Sequence, residues 1–420
     1  MKPSHTLLAI LFSASTATRA QVVPATPSPA GPLVSGTLRY DMRYSQTAQF
    51  GGSQDGQQWS FSSGDASYSN TSERLPFSMQ YGGGYGWAWA GPTSVGNVFQ
   101  HLLLSQGIVG RKWNLMASDS VSYSFQAPTT GFSGIPGTGE PIGGSGPTVP
   151  PDQTILTQNT RTLNNTTNIG LGYKLNYAWS LNVGDQSEQL RYIDNNGQNT
   201  DIQIDDAGIT RRLNARDSMS GQYSYSRYSY SGTGLTSPAT TLSIAFSQVN
   251  TAQFSFNRQW NRQIKTSVFA GPQWVSSSNS TIVPSSTGVS ASALVIDTLR
   301  FGSASLNYNH GTTSGSGYMS GAETDVASAN FTREIGRNLT VGLTGSYMRT
   351  AGLGNNEVTN AMFGGAQGTR QLGRYFNLFA NYTAIHQSSN FQNSANVLSG
   401  IYQVIGFGIG YSPHEKYFRK

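Results

Sequence analysis

Residues 76–90 read PFSMQYGGGYGWAWA. One parity of this stretch carries Phe77, Met79, Tyr81, Gly83, Tyr85, Trp87 and Trp89, and the other carries Ser78, Gln80, Gly82, Gly84, Gly86 and Ala88. A helix would gather residues three and four apart onto one face and mix the two sets. An extended strand, whose side chains alternate, keeps them apart. The stretch therefore predicts a long strand with one greasy face and one wet face.

The same split recurs along the chain. Trp179, Leu181 and Val183 oppose Ser180, Asn182 and Gly184; Leu339, Val341, Leu343 and Tyr347 oppose Thr340, Gly342, Thr344 and Ser346. Met219, Tyr223 and Tyr225 oppose Ser220, Gln222, Ser224 and Ser226. Between such segments a basic–apolar–Gly/Asn–Arg cluster repeats: Arg258-Gln259-Trp260-Asn261-Arg262, Arg333-Glu334-Ile335-Gly336-Arg337 and Arg370-Gln371-Leu372-Gly373-Arg374. Looser copies are Lys174-Leu175-Asn176, Arg212-Leu213-Asn214 and Leu299-Arg300. The apolar marks at 175, 213, 260, 299, 335 and 372 set a period that fits two strands, one tight turn and one longer loop. Two earlier turns fall at Glu73-Arg74 and at Gly110-Arg111-Lys112, while the opposite connections, such as 194–201 and 231–239, are longer and rich in Gly, Ser and Asn. Short turns at one end and long loops at the other are the asymmetry of an outer-membrane barrel.

Composition agrees. Charged residues are 11% of the 420, less than half of the roughly 25% of an ordinary soluble domain. Aromatic residues, also 11%, are too many for a disordered chain. No apolar run approaches the roughly 20 residues of a membrane-crossing helix, the longest being Leu7 to Phe12. That run follows Lys2 and His5 and precedes small residues ending at Ala17 or Ala20, which is the layout of a secretory signal peptide over 1–20. Its removal with Lys2 and Arg19 would lower the formal charge from +6 to +4, a balance that gives no reason to expect nucleic acid. A Pro-rich linker is expected over 21–35, with Pro24, Pro27, Pro29 and Pro32. The absence of Cys means that the fold must be held by hydrogen bonding and packing alone.

The fold expected is an all-β, transmembrane, antiparallel up-and-down β-barrel over 36–411, with about 18 strands and 16 as the alternative. A first strand is expected near Thr37 to Phe50, a last near Val397 to Tyr411, and a periplasmic tail over 412–420. A secreted sandwich, propeller or solenoid would alternate too, with shorter strands and a more charged wet face. In hydrocarbon every backbone polar group must be paired, which only a closed sheet achieves with strands. The apolar parity then faces lipid, and the Ser, Thr, Asn, Gln and Gly parity lines an aqueous lumen. Trp113, Trp179, Trp260 and Phe376 would form one aromatic girdle, and Trp89, Phe125, Tyr192 and Trp274 the other. Asp119 breaks the scheme by sharing a face with Trp113, Leu115, Val121 and Tyr123. A bulge, a contact between copies in a homo-oligomer, or a different register would accommodate it.

The leader, the hairpin repeat and the last strand, where Ile405, Phe407, Ile409 and Tyr411 alternate with Gly406, Gly408 and Gly410, together resemble bacterial outer-membrane β-barrels of the porin type. The resemblance is one of pattern and spans about 36–411. It implies the bacterial cell outer membrane, contact with its lipid, insertion by the barrel-assembly machinery through the last strand, and passage of small hydrophilic solutes. The chain departs from the common ending because nine residues follow Tyr411. It is also similar to an uncharacterised group of outer-membrane barrels, some associated with polysaccharide export, which implies instead a structural or envelope-biogenesis barrel with a closed lumen. The long Pro- and Gly-rich stretch 126–164 resembles a loop that folds into the pore and sets its narrowest point. A surface loop reads equally well, since only Glu140 and Asp152 precede Arg161.

Chemistry beyond passage is not indicated. No pattern calls for a catalytic residue, a cofactor or a metal. The histidines after the leader are His101, His310, His386 and His414. A lipid hydrolase would need a nucleophile and base, for which His310 with Asn307 and Asn309, or His386 with Ser388, are imaginable partners, though no spacing enforces that geometry. The pairs Asp205-Asp206 and Glu323/Asp325 match no calcium loop. Lys174, Arg212, Arg258 and Arg333 could bias a pore toward anions if they faced it, or else be exposed turn charges.

Overall fold

In a computed structural model the chain is described over residues 34–51, 58–70, 72–90, 96–126, 160–193, 199–231, 245–278, 283–315, 319, 321–354, 357–390, 399–413 and 416–419. The expected leader, the linker up to residue 33 and the stretch 127–159 lie outside these residues.

The expected strands form, and they are long. After β1 (Val34–Phe50) come hairpins joined by short turns: β2 (Gln58–Asn70) with β3 (Phe77–Ala90), and β4 (Gly96–Val109) with β5 (Trp113–Gln126). β6 (Thr160–Lys174) pairs with β7 (Trp179–Tyr192), β8 (Asn199–Arg212) with β9 (Asp217–Ser231), and β10 (Ala245–Gln259) with β11 (Ile264–Ser277). The series continues with β12 (Ser286–Leu299) and β13 (Gly302–Thr313), β14 (Ala322–Ile335) and β15 (Leu339–Gly352), and β16 (Val358–Leu372) and β17 (Phe376–Ser389), then β18 (Gly400–Tyr411). Each strand is antiparallel to the next, and β1 pairs with β18 from Met42–Tyr411 to Phe50–Gln403. The sheet thus closes into an up-and-down barrel of eighteen staves, not sixteen. A short β19 (Lys416–Arg419) pairs with Val34–Leu38 and prolongs the β18 stave below Tyr411. Closure leaves no strand edge for another chain to add to.

The repeated cluster is the turn itself. Asn176 Oδ1 accepts from the backbone N–H groups of Ala178 and Trp179, at 2.8 and 3.0 Å. Asn214 does the same for Arg216 and Asp217, and Asn261 for Gln263 and Ile264. Where Gly replaces Asn, the backbone takes the left-handed conformation instead, with φ of 67° at Gly336 and 68° at Gly373. Asn and Gly share these sites because both tolerate that tight reversal.

Register fixes the faces. Residues paired across strands point to the same side, so exposure at one pair assigns the whole row. Met42, Tyr81, Leu171, Val183, Phe254, Val268, Leu306, Leu343 and Phe407 all fall on one side and are exposed on the outer surface. Their alternates fall inside. Trp113, Trp179 and Phe376 stand outside at the tight-turn end, and Tyr85, Trp274, Tyr308, Tyr347 and Tyr382 stand outside further up. Tyr192 does not join them: its parity points it inward, and it is buried.

Candidate functional site

The inner wall is the surface a solute would meet. Toward the tight-turn end, inside a rim that carries Lys174, Arg212, Lys265 and Glu334, its lining is mostly uncharged, polar and partly exposed, as at Ser180, Asn182, Ser218, Gln222, Thr340 and Thr369. Side chains knit neighbouring strands together. Thr344 donates to Asn330 Oδ1 at 2.7 Å, and Asn164 donates to Glu188 Oε1 at 3.2 Å. Gln253 reaches across β11 at Gly271, which has no side chain in the way, and donates to Ser290 at 3.0 Å.

Glycines on the inner parity of β3 and β18 receive larger neighbours from the next strand. Phe61 lies against Gly86, Phe99 against Gly84 and Phe379 against Gly408, each pair directly cross-strand. A ring covering a glycine shields its backbone, the compensation known for glycine in sheets. The rings of Trp59 and Phe61 stack at 6.0 Å, and Phe61 meets Phe99 edge-on at 6.3 Å.

Below these aromatics β1, β2 and β4 bring four titratable groups together on the inner wall. Arg43 Nη2 lies 3.1 Å from Asp41 Oδ2 and 3.3 Å from Asp65 Oδ2, and His101 Nε2 lies 3.6 Å from Asp65 Oδ1. Arg43 and Asp41 are almost wholly buried, with side chains 2% and 6% exposed. Asp41 and Asp65 are direct cross-strand partners, so without Arg43 two carboxylates would face each other. Room for the cluster comes from Gly82, against which Asp65 and His101 both lie. Further round the wall, Glu188 and Asp206 also point inward.

Toward the long-connection end the lining becomes close-packed, and apolar clusters enter it among buried Thr, Ser and Gln such as Thr200, Ser247, Thr350 and Gln387. Val326, Met348, Ala361, Phe363, Ile385 and Tyr402 form one buried cluster on β14 to β18. Ile202, Tyr228, Tyr230, Val249 and Val275 on β8 to β11, with Val283 from the connection to β12, form a second, and Trp59, Phe61 and Ala88 a third on β2 and β3. The interior therefore runs from a partly exposed polar half to a close-packed collar of mixed apolar and uncharged polar side chains.

The other sequence candidates scatter. Asn307 and Asn309 point inward whereas His310 points outward, where its Nδ1 lies 2.8 Å from Asp325 Oδ1 and its Nε2 lies 3.2 Å from Glu323 Oε1. His386 is outside and exposed. Asp205 and Asp206 lie on opposite faces of the wall, and no group of three or more His, Asp or Glu suited to a metal occurs among the described residues. Lys174 and Arg212 are on the inner parity at the turn rim, but Arg258 and Arg333 are outside, Arg258 stacked on Trp260 at 4.3 Å. Asp119 needs no bulge. Its strand runs in unbroken register with both neighbours, it does face outward, and Thr167 donates to it at 2.7 Å.

An antiparallel sheet closed without edges, apolar outside and polar within its lower half, defines the class: a barrel built to cross an outer membrane by strands. No protein-family model matches the chain, and no curated protein does. Among solved structures it is similar to OccK2 (OpdF) of Pseudomonas aeruginosa, at 10% identity over 91% of this chain and 99% of that one, with a TM-score of 0.47. The same organism's OpdK, crystallised with vanillate, gives 8% identity, 92% and 100% coverage and a TM-score of 0.45. OccAB3 of Acinetobacter baumannii gives 11%, 91%, 99% and 0.43.

Proposed function

We propose that this protein is a passive outer-membrane channel for small hydrophilic solutes. The observation that carries the reading is the two-faced wall: an apolar outer belt with aromatic margins, around a lower lumen lined by Ser, Thr, Asn and Gln. Such a lining offers donors and acceptors to hydroxylated solutes without trapping them by charge. No step of catalysis belongs to this reading; the side chains hold a path open and filter it. Segment 1–20 would direct export, 21–33 would precede the barrel, and β18 would present the strand by which the assembly machinery inserts it.

The close-packed collar favours a second reading, a barrel of structural or biogenesis role whose lumen is shut. Side chains such as Met348, Ile385 and Tyr402, each no more than 2% exposed on the inner parity, leave little free passage at that level. Conductance in planar bilayers separates the two. A channel gives discrete steps of current, and swelling of proteoliposomes in sugar solutions follows; a shut barrel gives neither.

A further inference from the structure

On the outer surface the height of the apolar belt is not uniform. From the tight-turn end, apolar outward residues on β11 continue from Ile264 to Trp274 past Thr266, on β12 from Leu299 to Val289 past Asp297 at the turn margin, and on β18 from Tyr411 to Ile401 past Gln403. Each is a rise of ten residues, which at about 3.3 Å per residue and a tilt of about 40° gives about 25 Å, the height of an ordinary apolar band. On β7 the outward series Trp179, Leu181, Val183 stops at Asp185 after six residues, about 15 Å by the same reckoning. On β8 it stops at Asp205, the direct cross-strand partner of Asp185. Asp119 and Thr167 stand at the same level on β5 and β6, but on β5 the outward apolar series resumes above it with Val121 and Tyr123.

Above that level the polarity of β8 reverses. Asp201, Gln203 and Asp205 face outward while Ile202 and Ile204 pack inside. On β7, Ser187, Gln189 and Arg191 face outward, and Arg191 is hydrogen-bonded to Asp201 at 2.5 Å. Inside, Ile202 and Ile204 stand beside Gln186 and Glu188 of β7, so it is the outer face that decides: one so rich in charge suits water, not hydrocarbon, where an outward carboxylate near the midplane is costly.

Resting on the outer-membrane reading above, we infer that along β7 and β8 the lipid headgroup layer descends to Asp185 and Asp205, so that the barrel stands in a bilayer thinned on one side. The occupant of the notch is the headgroup layer with its water, whose donors and cations suit a row of carboxylates. A symmetric contact with a second copy would instead press Asp119, Asp185 and Asp205 toward their own equivalents. Thinning by a short hydrophobic span is the bilayer's ordinary response to mismatch.

The chain has no cysteine, so Ser187→Cys and Ala291→Cys can each carry a single nitroxide. Both residues face outward, and each stands eight residues above the turn end of its strand. In dioleoylphosphatidylcholine vesicles, relaxation of the Ser187 label should be dominated by a water-soluble nickel chelate and that of the Ala291 label by oxygen. Oxygen dominance at both sites overturns the inference, since the belt would then be level. Shielding of the Ser187 label from both reagents with spin–spin broadening overturns it in favour of a second copy. Nickel dominance at Ala291 as well would defeat the membrane reading itself. Gln203→Cys on β8 reports the same layer if Ser187→Cys does not insert.

Discussion

Arg43 holds two carboxylates at once inside the wall, and its guanidinium plane suits that task better than a point charge would. Deleting it leaves Asp41 and Asp65 buried and face to face, the situation in which one missing partner costs most. Arg43→Met should lower stability by about 3–5 kcal/mol, read as a drop in the guanidinium midpoint of the refoldable protein. Adding Asp41→Asn and Asp65→Asn to that variant should restore most of the loss. An Arg43→Met barrel as stable as the parent would mean the cluster is not held as described. This cluster was only half legible beforehand. Asp41 and Arg43 share a parity that the alternation of β1 reveals, but Asp65 and His101 arrive through register between strands, which no local pattern encodes.

At the scale of the strand and its turn, the Asn and Gly positions of the repeat do the same work by different means. Asn214→Ala removes the acceptor of two backbone N–H groups and should cost about 1 kcal/mol. At Gly336, whose φ is 67°, Asn should be tolerated, whereas Val should cost about 1–2 kcal/mol because its branched Cβ crowds its own carbonyl in the left-handed conformation. Equal midpoints for Gly336→Asn and Gly336→Val would remove the conformational explanation. These turns were legible because their chemistry is local and repeated, and so the strand count followed from counting them. The upper halves of the strands were not. There Tyr192, Ile202, Tyr228 and Val249 point inward while Gln203, Arg227 and Gln248 point outward, so the rule that sends the apolar parity to lipid reverses within a single strand. Alternation alone records that two faces differ; which face is inside changes with height, and height is set by closure of the barrel.

For the whole molecule, the fixed charges of the interior predict what it would prefer to pass. Away from the rims, the inward ionisable side chains on the described strands are Asp41, Asp65, Glu188 and Asp206 against Arg39 and Arg43, with His101 beside Asp65. Lys174, Arg212, Lys265 and Glu334 stand at the turn rim, where water and salt screen them. A low-dielectric wall focuses the field of its own charges into the passage, so the excess of carboxylates should draw cations in and hold anions back. In a potassium chloride gradient the reversal potential should therefore have the sign of cation preference, and the preference should weaken as salt is raised. Glu188→Gln with Asp206→Asn removes two of the four carboxylates without touching the Arg43 cluster, and should move the reversal potential toward zero while leaving the size of the current steps nearly unchanged. An anion-selective channel, or a double variant with the parent's reversal potential, would show that ions follow a path away from β7 and β8. Selectivity would then have to be sought along the opposite wall, where the lining on β10 to β17 carries no charge above the rim.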